Sequence, residues 1–239
     1  MRQNFDADTT PCTTETLVDL PKGFLCYRSP ELAPDVAEAP CLKNGYITFG
    51  SFNEKATINK SMIALWSDIL TRISNARFLL KLHVALDDES VKNAYLECFE
   101  HYGVTADRLD IHLCGGSEDR LACLGSVDIA LDTFPCNGTV FTCETLWMGV
   151  PVISLKGDLH CSRMGYSLLS QLDMEFLAVD TPEQYVTMAC VLARKPEAIS
   201  QMRDTMRLRM GASALCQADD FVGHLESAYQ TMWENWCKE

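Results

Sequence analysis

The stretch LDTFPCNGTVFTCETLWMGVPVISL, residues 131–155, decides the fold class of this chain. It joins a short apolar strand, a Pro-Cys-Asn-Gly-Thr turn, an apolar helix and a second apolar strand. Strands that are apolar on both faces and follow each other through a helix are typical of parallel sheets covered on both sides. The stretch therefore predicts one strand–helix–strand unit of an α/β fold.

The same alternation of strands and helices runs along the chain from Tyr46 onward. Candidate strands are 46–52, 77–82, 109–113, 128–132, 151–155 and 175–179, and candidate helices are 59–73, 87–103, 117–126, 139–149, 161–172 and 182–194. This order predicts a doubly wound, mostly parallel, Rossmann-like sheet, with two or more extra C-terminal helices in 196–237. Residues 1–44 carry five prolines and predict an extended lead-in segment, so the domain is expected to span 45–239.

Composition and charge exclude several classes of protein. The net charge of −13 argues against a nucleic-acid-binding surface or one that binds anionic membranes. No run has the length of a signal peptide's apolar core or of a membrane span. The twelve cysteines include no C-x-x-C pair, so reduced thiols and no metal site are expected. These features predict a soluble protein of the cytoplasm or nucleus, and the absence of G-x-G-x-x-G and P-loop signatures argues against dehydrogenases and P-loop ATPases.

A ligand is expected at the carboxyl ends of the strands, as in other sheets of this kind. Gly115 and Gly116 would let the backbone approach a ligand closely. The Asn137-Gly138-Thr139 turn opens a helix whose free N–H groups favour an anion, although Asn-Gly is also an ordinary turn. Asp132 is expected to cap this turn rather than to act as a catalytic carboxylate.

Glu144 is an isolated acid in the apolar helix 139–149. A buried carboxylate needs a partner or must face a site. Helical side chains lean toward the N-terminus, so Glu144 would point toward the anion-binding end, where it could accept hydrogen bonds from a sugar diol. A nucleotide fits this arrangement, and the alternative is an internal salt bridge or an edge position at which water satisfies the carboxylate.

Four motifs resemble the C-terminal catalytic half of protein O-linked N-acetylglucosamine transferases, the group that includes the plant SPINDLY-like proteins. They are ITFGSFN (47–53), DIALDTFPCNGT (128–139), CETLWMGVPV (143–152) and SRMG (162–165). The resemblance implies half of a GT-B glycosyltransferase. In the complete enzyme the donor would be UDP-N-acetylglucosamine, with fucose in the SPINDLY branch, and the acceptor a Ser or Thr hydroxyl of a protein, with inversion. A preceding catalytic half and TPR repeats would be partners, and no metal cofactor is implied.

The resemblance also implies which positions contact the nucleotide sugar. They are Glu54, Lys55, Thr57, Gly115, Gly116, Ser117, Arg120, Asn137, Gly138, Thr139, Val140, Phe141 and, at the ribose, Glu144. Thr57 stands where the family carries the lysine that neutralises the leaving diphosphate, and Arg120 stands where it carries a histidine. Val140 and Phe141 replace threonines. Lys55 or Arg120 could supply the lost charge in part. These departures keep two alternatives open: a non-catalytic nucleotide-binding or interaction module, and a sugar-nucleotide epimerase.

Overall fold

The computed structural model describes residues 14–83, 89–114 and 120–238. The strands are β1 (Thr48–Ser51), β2 (Arg77–His83), β3 (Leu109–Cys114), β4 (Ile129–Leu131), β5 (Val152–Leu155) and β6 (Ala178–Val179). The helices are α1 (Pro40–Asn44), α2 (Lys60–Arg72), α3 (Glu89–His101), α4 (Arg120–Leu124), α5 (Val140–Trp147), α6 (Met164–Ser170), α7 (Pro182–Ala193), α8 (Pro196–Ala212) and α9 (Ala218–Trp236).

The six strands form a parallel sheet in the order β3-β2-β1-β4-β5-β6. This is the order of a doubly wound Rossmann-like fold, so the predicted fold class is confirmed. Phe49 of β1 pairs with Phe78 of β2 on one side and with Ile129 of β4 on the other, and all three side chains are fully buried. The order of the strands reverses between β1 and β4, which makes their carboxyl ends the expected place for a ligand.

The helices cover the sheet in two groups. Helix α2 packs on α3 and α7, whereas α5 packs on α4, α6 and α8. Asn59 caps α2 as predicted, because its Oδ1 accepts a hydrogen bond of 3.0 Å from the backbone N–H of Met62. Within the described residues, no helix is both long and apolar enough to cross a membrane.

Two predicted elements differ from the structure. Residues 175–177 of the last candidate strand form a 3-10 helix, and only Ala178 and Val179 pair with β5. The register pairs Ser154 with Ala178 and Leu155 with Val179, and the pairing of β5 with this edge strand begins only there. The lead-in segment also contains α1, where Pro40 starts the helix instead of breaking it; proline is tolerated at that position because the first N–H lacks a helical partner.

The lead-in segment lies against the C-terminal helices. The backbone N–H of Tyr27 donates to the carbonyl of Leu215 at 2.7 Å, and Arg203 and Arg207 of α8 donate to the carbonyls of Ala37 and Pro34. These contacts tie residues 27–37 to α8 and to the turn that follows it.

Candidate functional site

Two polar side chains meet where the strand order reverses. Asn53 follows β1 and Asp132 follows β4, and the Asn53 Nδ2 group donates to Asp132 Oδ1 at 3.2 Å. Both residues are buried although they are polar. Because a buried polar group is costly unless it is hydrogen-bonded, this pair fixes the geometry of the two strand ends.

Asp132 also organises the turn that follows it, residues 133–139. The backbone N–H groups of Thr133 and Gly138 donate to Oδ1 at 2.9 and 2.8 Å, and the Ser154 hydroxyl donates to Oδ2 at 2.7 Å. The predicted cap of the turn is therefore confirmed. Burial raises the pKa of Asp132 to about 6, while these hydrogen bonds oppose that rise.

Asn137 braces the turn from inside. Its Nδ2 donates to the carbonyls of Thr133 and Leu155 at 2.9 and 3.3 Å, and the backbone N–H of Gly165 donates to its Oδ1 at 3.3 Å. The Asn137 side chain thus joins the turn to β5 and α6, and contact with a ligand remains a prediction for this residue.

Gly138 occupies a place that has no room for a side chain. A Cβ atom there would press on Asn53 Oδ1 and lie 2.8 Å from the Thr142 hydroxyl oxygen. Glycine is therefore required by the close approach of the turn to the end of β1.

The turn delivers the chain to the N-terminus of α5. The Thr139 side chain does not cap this helix, since its hydroxyl lies 2.8 Å from the sulfur of Met164. Anion binding at this end of α5 remains a prediction. Val140 is 53 % exposed at this end and Phe141 is half-buried.

Glu144 lies one turn further along α5 and is only 5 % exposed. Its neighbour Cys143 shows the effect of a negative charge in this region. The pKa of Cys143 is raised to about 12, first by burial and then by the charges of Cys216 and Glu144. The ribose contact assigned to Glu144 remains a prediction, and its position on α5 is the one that the prediction requires.

The loop after β1 reaches the same turn. The Thr57 hydroxyl donates to the carbonyl of Glu54 at 2.8 Å, and it lies 3.1 Å from the hydroxyl oxygen of Thr133. Asn59 adds a contact that the sequence did not indicate, because its Nδ2 donates to the carbonyl of Phe134 at 2.7 Å. Position 57 therefore stands beside the turn 133–139, whereas Glu54 and Lys55 are exposed.

The remaining predicted contacts are only partly visible. Gly115, Gly116 and Ser117 lie outside the described residues. Arg120 is the first residue of α4. His160, in the loop after β5, is exposed and packs edge-on against Phe24 at 4.9 Å between ring centres.

Comparison with known proteins places this site in a family. A profile of Glycosyl transferase family 41 matches residues 37–225. The chain belongs to this family. The resemblance seen in the sequence is thus confirmed.

Relatives of this chain include plant proteins and a solved bacterial structure. The chain is 40 % identical over 233 residues to the probable UDP-N-acetylglucosamine–peptide N-acetylglucosaminyltransferase SPINDLY of Eustoma exaltatum subsp. russellianum, covering 97 % of this chain and 25 % of that protein. Identity to the Arabidopsis thaliana protein of the same name is 38 %, with the same coverage. A lysine-to-methionine mutant of the Thermobaculum terrenum O-GlcNAc transferase superposes with a TM-score of 0.84 at 30 % identity, over 94 % of this chain and 42 % of that one. The chain thus spans about a quarter of the length of its curated plant relatives.

Two contacts of Asp132 were not predicted from the sequence. Ser154 gives Asp132 its fourth hydrogen bond, and Gly165 approaches so closely that a Cβ atom there would press on the Ser154 side chain and lie 2.9 Å from Asp132 Oδ2. A serine in an apolar strand and a glycine at the start of a helix carry no sequence signal for such a contact. No cluster of three or more metal-ligating side chains occurs in residues 14–83, 89–114 and 120–238.

Proposed function

We propose that this chain is the donor-binding half of a protein O-linked N-acetylglucosamine transferase, acting in the cytoplasm or nucleus with UDP-N-acetylglucosamine as donor. The observation that carries this proposal is the turn fixed by Asp132, which presents the N-terminus of α5 with Glu144 one turn behind it. The positive end of the helix suits a diphosphate, and the carboxylate suits ribose hydroxyls. The names of the plant and bacterial relatives support the same donor and a protein acceptor.

A non-catalytic nucleotide-binding module is the second candidate. Thr57 favours it, because its hydroxyl is held by the Glu54 carbonyl where the family's pattern carries a lysine ammonium. Lys156, a cation after β5, is already paired with Asp180 at 2.7 Å. Both candidates bind a nucleotide, so they differ in transfer and not in donor affinity. GDP-fucose as donor is an outcome to be tested beside UDP-N-acetylglucosamine.

The substitution Glu144→Ala is expected to weaken UDP binding by about 1.5–3 kcal/mol, because hydrogen bonds to a charged acceptor contribute that much. Isothermal titration of parent and variant with UDP measures the change. Uridine diphosphate lacking both ribose hydroxyls should bind the two proteins with similar affinity, since the lost contact is with the diol.

The control for this titration is Glu183→Ala, which removes an exposed carboxylate from the first turn of α7. It should leave UDP affinity unchanged. Equal UDP affinity in the parent and the Glu144→Ala variant would remove Glu144 from the binding site.

The exposed aromatic face of α9 is the surface that we assign to the preceding catalytic half of a complete enzyme. Trp233 and Trp236 are 63 % and 67 % exposed, with ring centres 5.4 Å apart, and Tyr229 is exposed beside them. Together they form an apolar surface, and such surfaces commonly mark interaction sites. The length ratio to the relatives leaves a large part of a complete enzyme that could cover it.

Replacing both Trp233 and Trp236 by serine should weaken association with the N-terminal half of the Thermobaculum terrenum enzyme by at least about tenfold, since aromatic anchors dominate interfaces. Sedimentation of mixtures of the two purified proteins measures this association. The matched control is Leu208→Ser, an exposed apolar residue of α8 that lies on another helix. Equal association of the parent and the double variant would exclude this face as the interface.

A further inference from the structure

Asp132 receives hydrogen bonds from three separate parts of the chain. The donors are the Asn53 side chain after β1, the backbone of the turn at Thr133 and Gly138, and the Ser154 hydroxyl of β5. Its backbone carbonyl accepts a fifth hydrogen bond, from the Tyr185 hydroxyl of α7 at 2.8 Å. One buried carboxylate therefore joins β1, the turn and β5 at the point where the sheet reverses its order.

Asp128 provides a direct comparison at the other end of the same strand. It is also buried, and its carboxylate accepts the backbone N–H groups of Cys41 and Thr48, both at 2.8 Å. The two aspartates bracket β4 and resemble each other in burial and in the number of backbone donors. They differ in location, since only Asp132 faces the turn that leads into α5.

We propose that Asp132 is a positioning residue of the donor site: its carboxylate holds residues 133–139 in the shape that presents the N-terminus of α5 to the diphosphate. This inference rests on the proposed function for its ligand. The carboxylate acts through the two turn amides and through Asn53, and it needs no contact with the nucleotide.

The geometry indicates that the acceptor oxygen matters more than the charge. Oδ1 accepts all three of the hydrogen bonds from Asn53, Thr133 and Gly138, whereas Oδ2 meets only the Ser154 hydroxyl among the contacts described. The Ser154 hydroxyl can accept a hydrogen bond as well as donate one. It can therefore pair with the amide nitrogen that Asp132→Asn would place at the position of Oδ2. Burial of Asp132, which raises its pKa to about 6, agrees with a site that tolerates a neutral group. Asp132→Asn should therefore preserve the turn, and Asp132→Ala should release it.

Hydrogen exchange of backbone amides tests the positioning without any ligand. In Asp132→Ala, the amides at 133 and 138 should exchange at least about tenfold faster relative to the amide of Phe49 in the same sample, because each loses its acceptor. Phe49 lies in β1 and reports global unfolding, so the ratio is insensitive to a general loss of stability. Asp132→Asn should keep the parent ratio. Asp128→Ala should keep the parent exchange ratio at 133 and 138 and raise the ratio at Cys41 and Thr48.

Titration with UDP tests the consequence for the donor. Asp132→Ala should bind UDP at least about tenfold more weakly, with Asp132→Asn and Asp128→Ala close to the parent when all are measured in their folded range. If Asp132→Ala does not fold, Gly138→Ala serves instead. Its Cβ would press on Asn53 Oδ1, so the amide at 138 should lose its hydrogen bond to Asp132 Oδ1 and the variant should show the same loss of affinity.

The outcomes separate this inference from the proposed function. A parent chain that fails to bind UDP contradicts the proposed function, and the exchange ratios then still decide whether Asp132 holds the turn. The inference would be overturned if the exchange ratios at 133 and 138 did not change in Asp132→Ala. If that variant does not fold, an unchanged exchange ratio at 138 in Gly138→Ala would overturn it. So would parent UDP affinity in the folded variant, or an equal loss in Asp128→Ala.

Discussion

Replacing Arg203 by methionine is expected to lower the free energy of unfolding by about 3–5 kcal/mol, the cost of breaking a buried charge network. Arg203 is 1 % exposed, and its guanidinium donates to the carbonyls of Ala37, Val127 and Gly125 at 2.6, 2.7 and 2.9 Å. Burial lowers the pKa of Arg203, and the negative charge of Asp128 opposes that change. Methionine fills similar space but leaves these three carbonyls, of which that of Val127 is buried, without their donors, and Asp128 without the nearby positive charge.

Urea unfolding followed by circular dichroism measures this change, and Arg209→Met is the matched control. Arg209 lies on the same helix α8 but is exposed, so its replacement should change stability by less than about 0.5 kcal/mol. A loss below about 1 kcal/mol for Arg203→Met would mean that the lead-in segment and the loop before β4 do not depend on this guanidinium.

Much of the fold could be predicted from the sequence because its signals are local. Short apolar runs such as 77–82 and 109–113 recur with helical stretches between them, and the structure has strands at these places. The prediction was wrong at 175–177, where the same apolar pattern forms a 3-10 helix. Whether an apolar run becomes a strand depends on tertiary contacts that the local pattern does not encode, and here only Ala178 and Val179 pair with β5.

The candidate site could be predicted less completely, because its most important contacts join residues far apart in the chain. The sequence indicated the turn 137–139 and the acid Glu144, which are close in sequence. It gave Asp132 only a local capping role, whereas the structure adds Asn53 and Ser154 to its partners. Hydrogen bonds across the sheet follow from the strand order, and that order is a property of the tertiary fold.

We expect the 239-residue chain alone to transfer no N-acetylglucosamine to protein. Transfer requires an acceptor hydroxyl aligned with the anomeric carbon of the donor and stabilisation of charge on the leaving diphosphate. The chain corresponds to about a quarter of its plant relatives, and position 57 carries a hydroxyl where the family's pattern has an ammonium. The assay is incorporation of labelled sugar from UDP-N-acetylglucosamine into an acceptor peptide rich in serine and threonine, with GDP-fucose tested in parallel.

The variant Thr57→Lys separates donor binding from transfer. Position 57 lies beside the turn through its 3.1 Å contact with Thr133, so a lysine there could reach an anion at the N-terminus of α5. A cation next to a diphosphate gains charge-assisted hydrogen bonds, and UDP affinity should rise by roughly 1.5–3 kcal/mol while transfer stays absent. If the parent chain transfers sugar with robust turnover, neither the lysine nor a facing catalytic half is required. If only Thr57→Lys does so, the missing charge alone separates this chain from an active transferase.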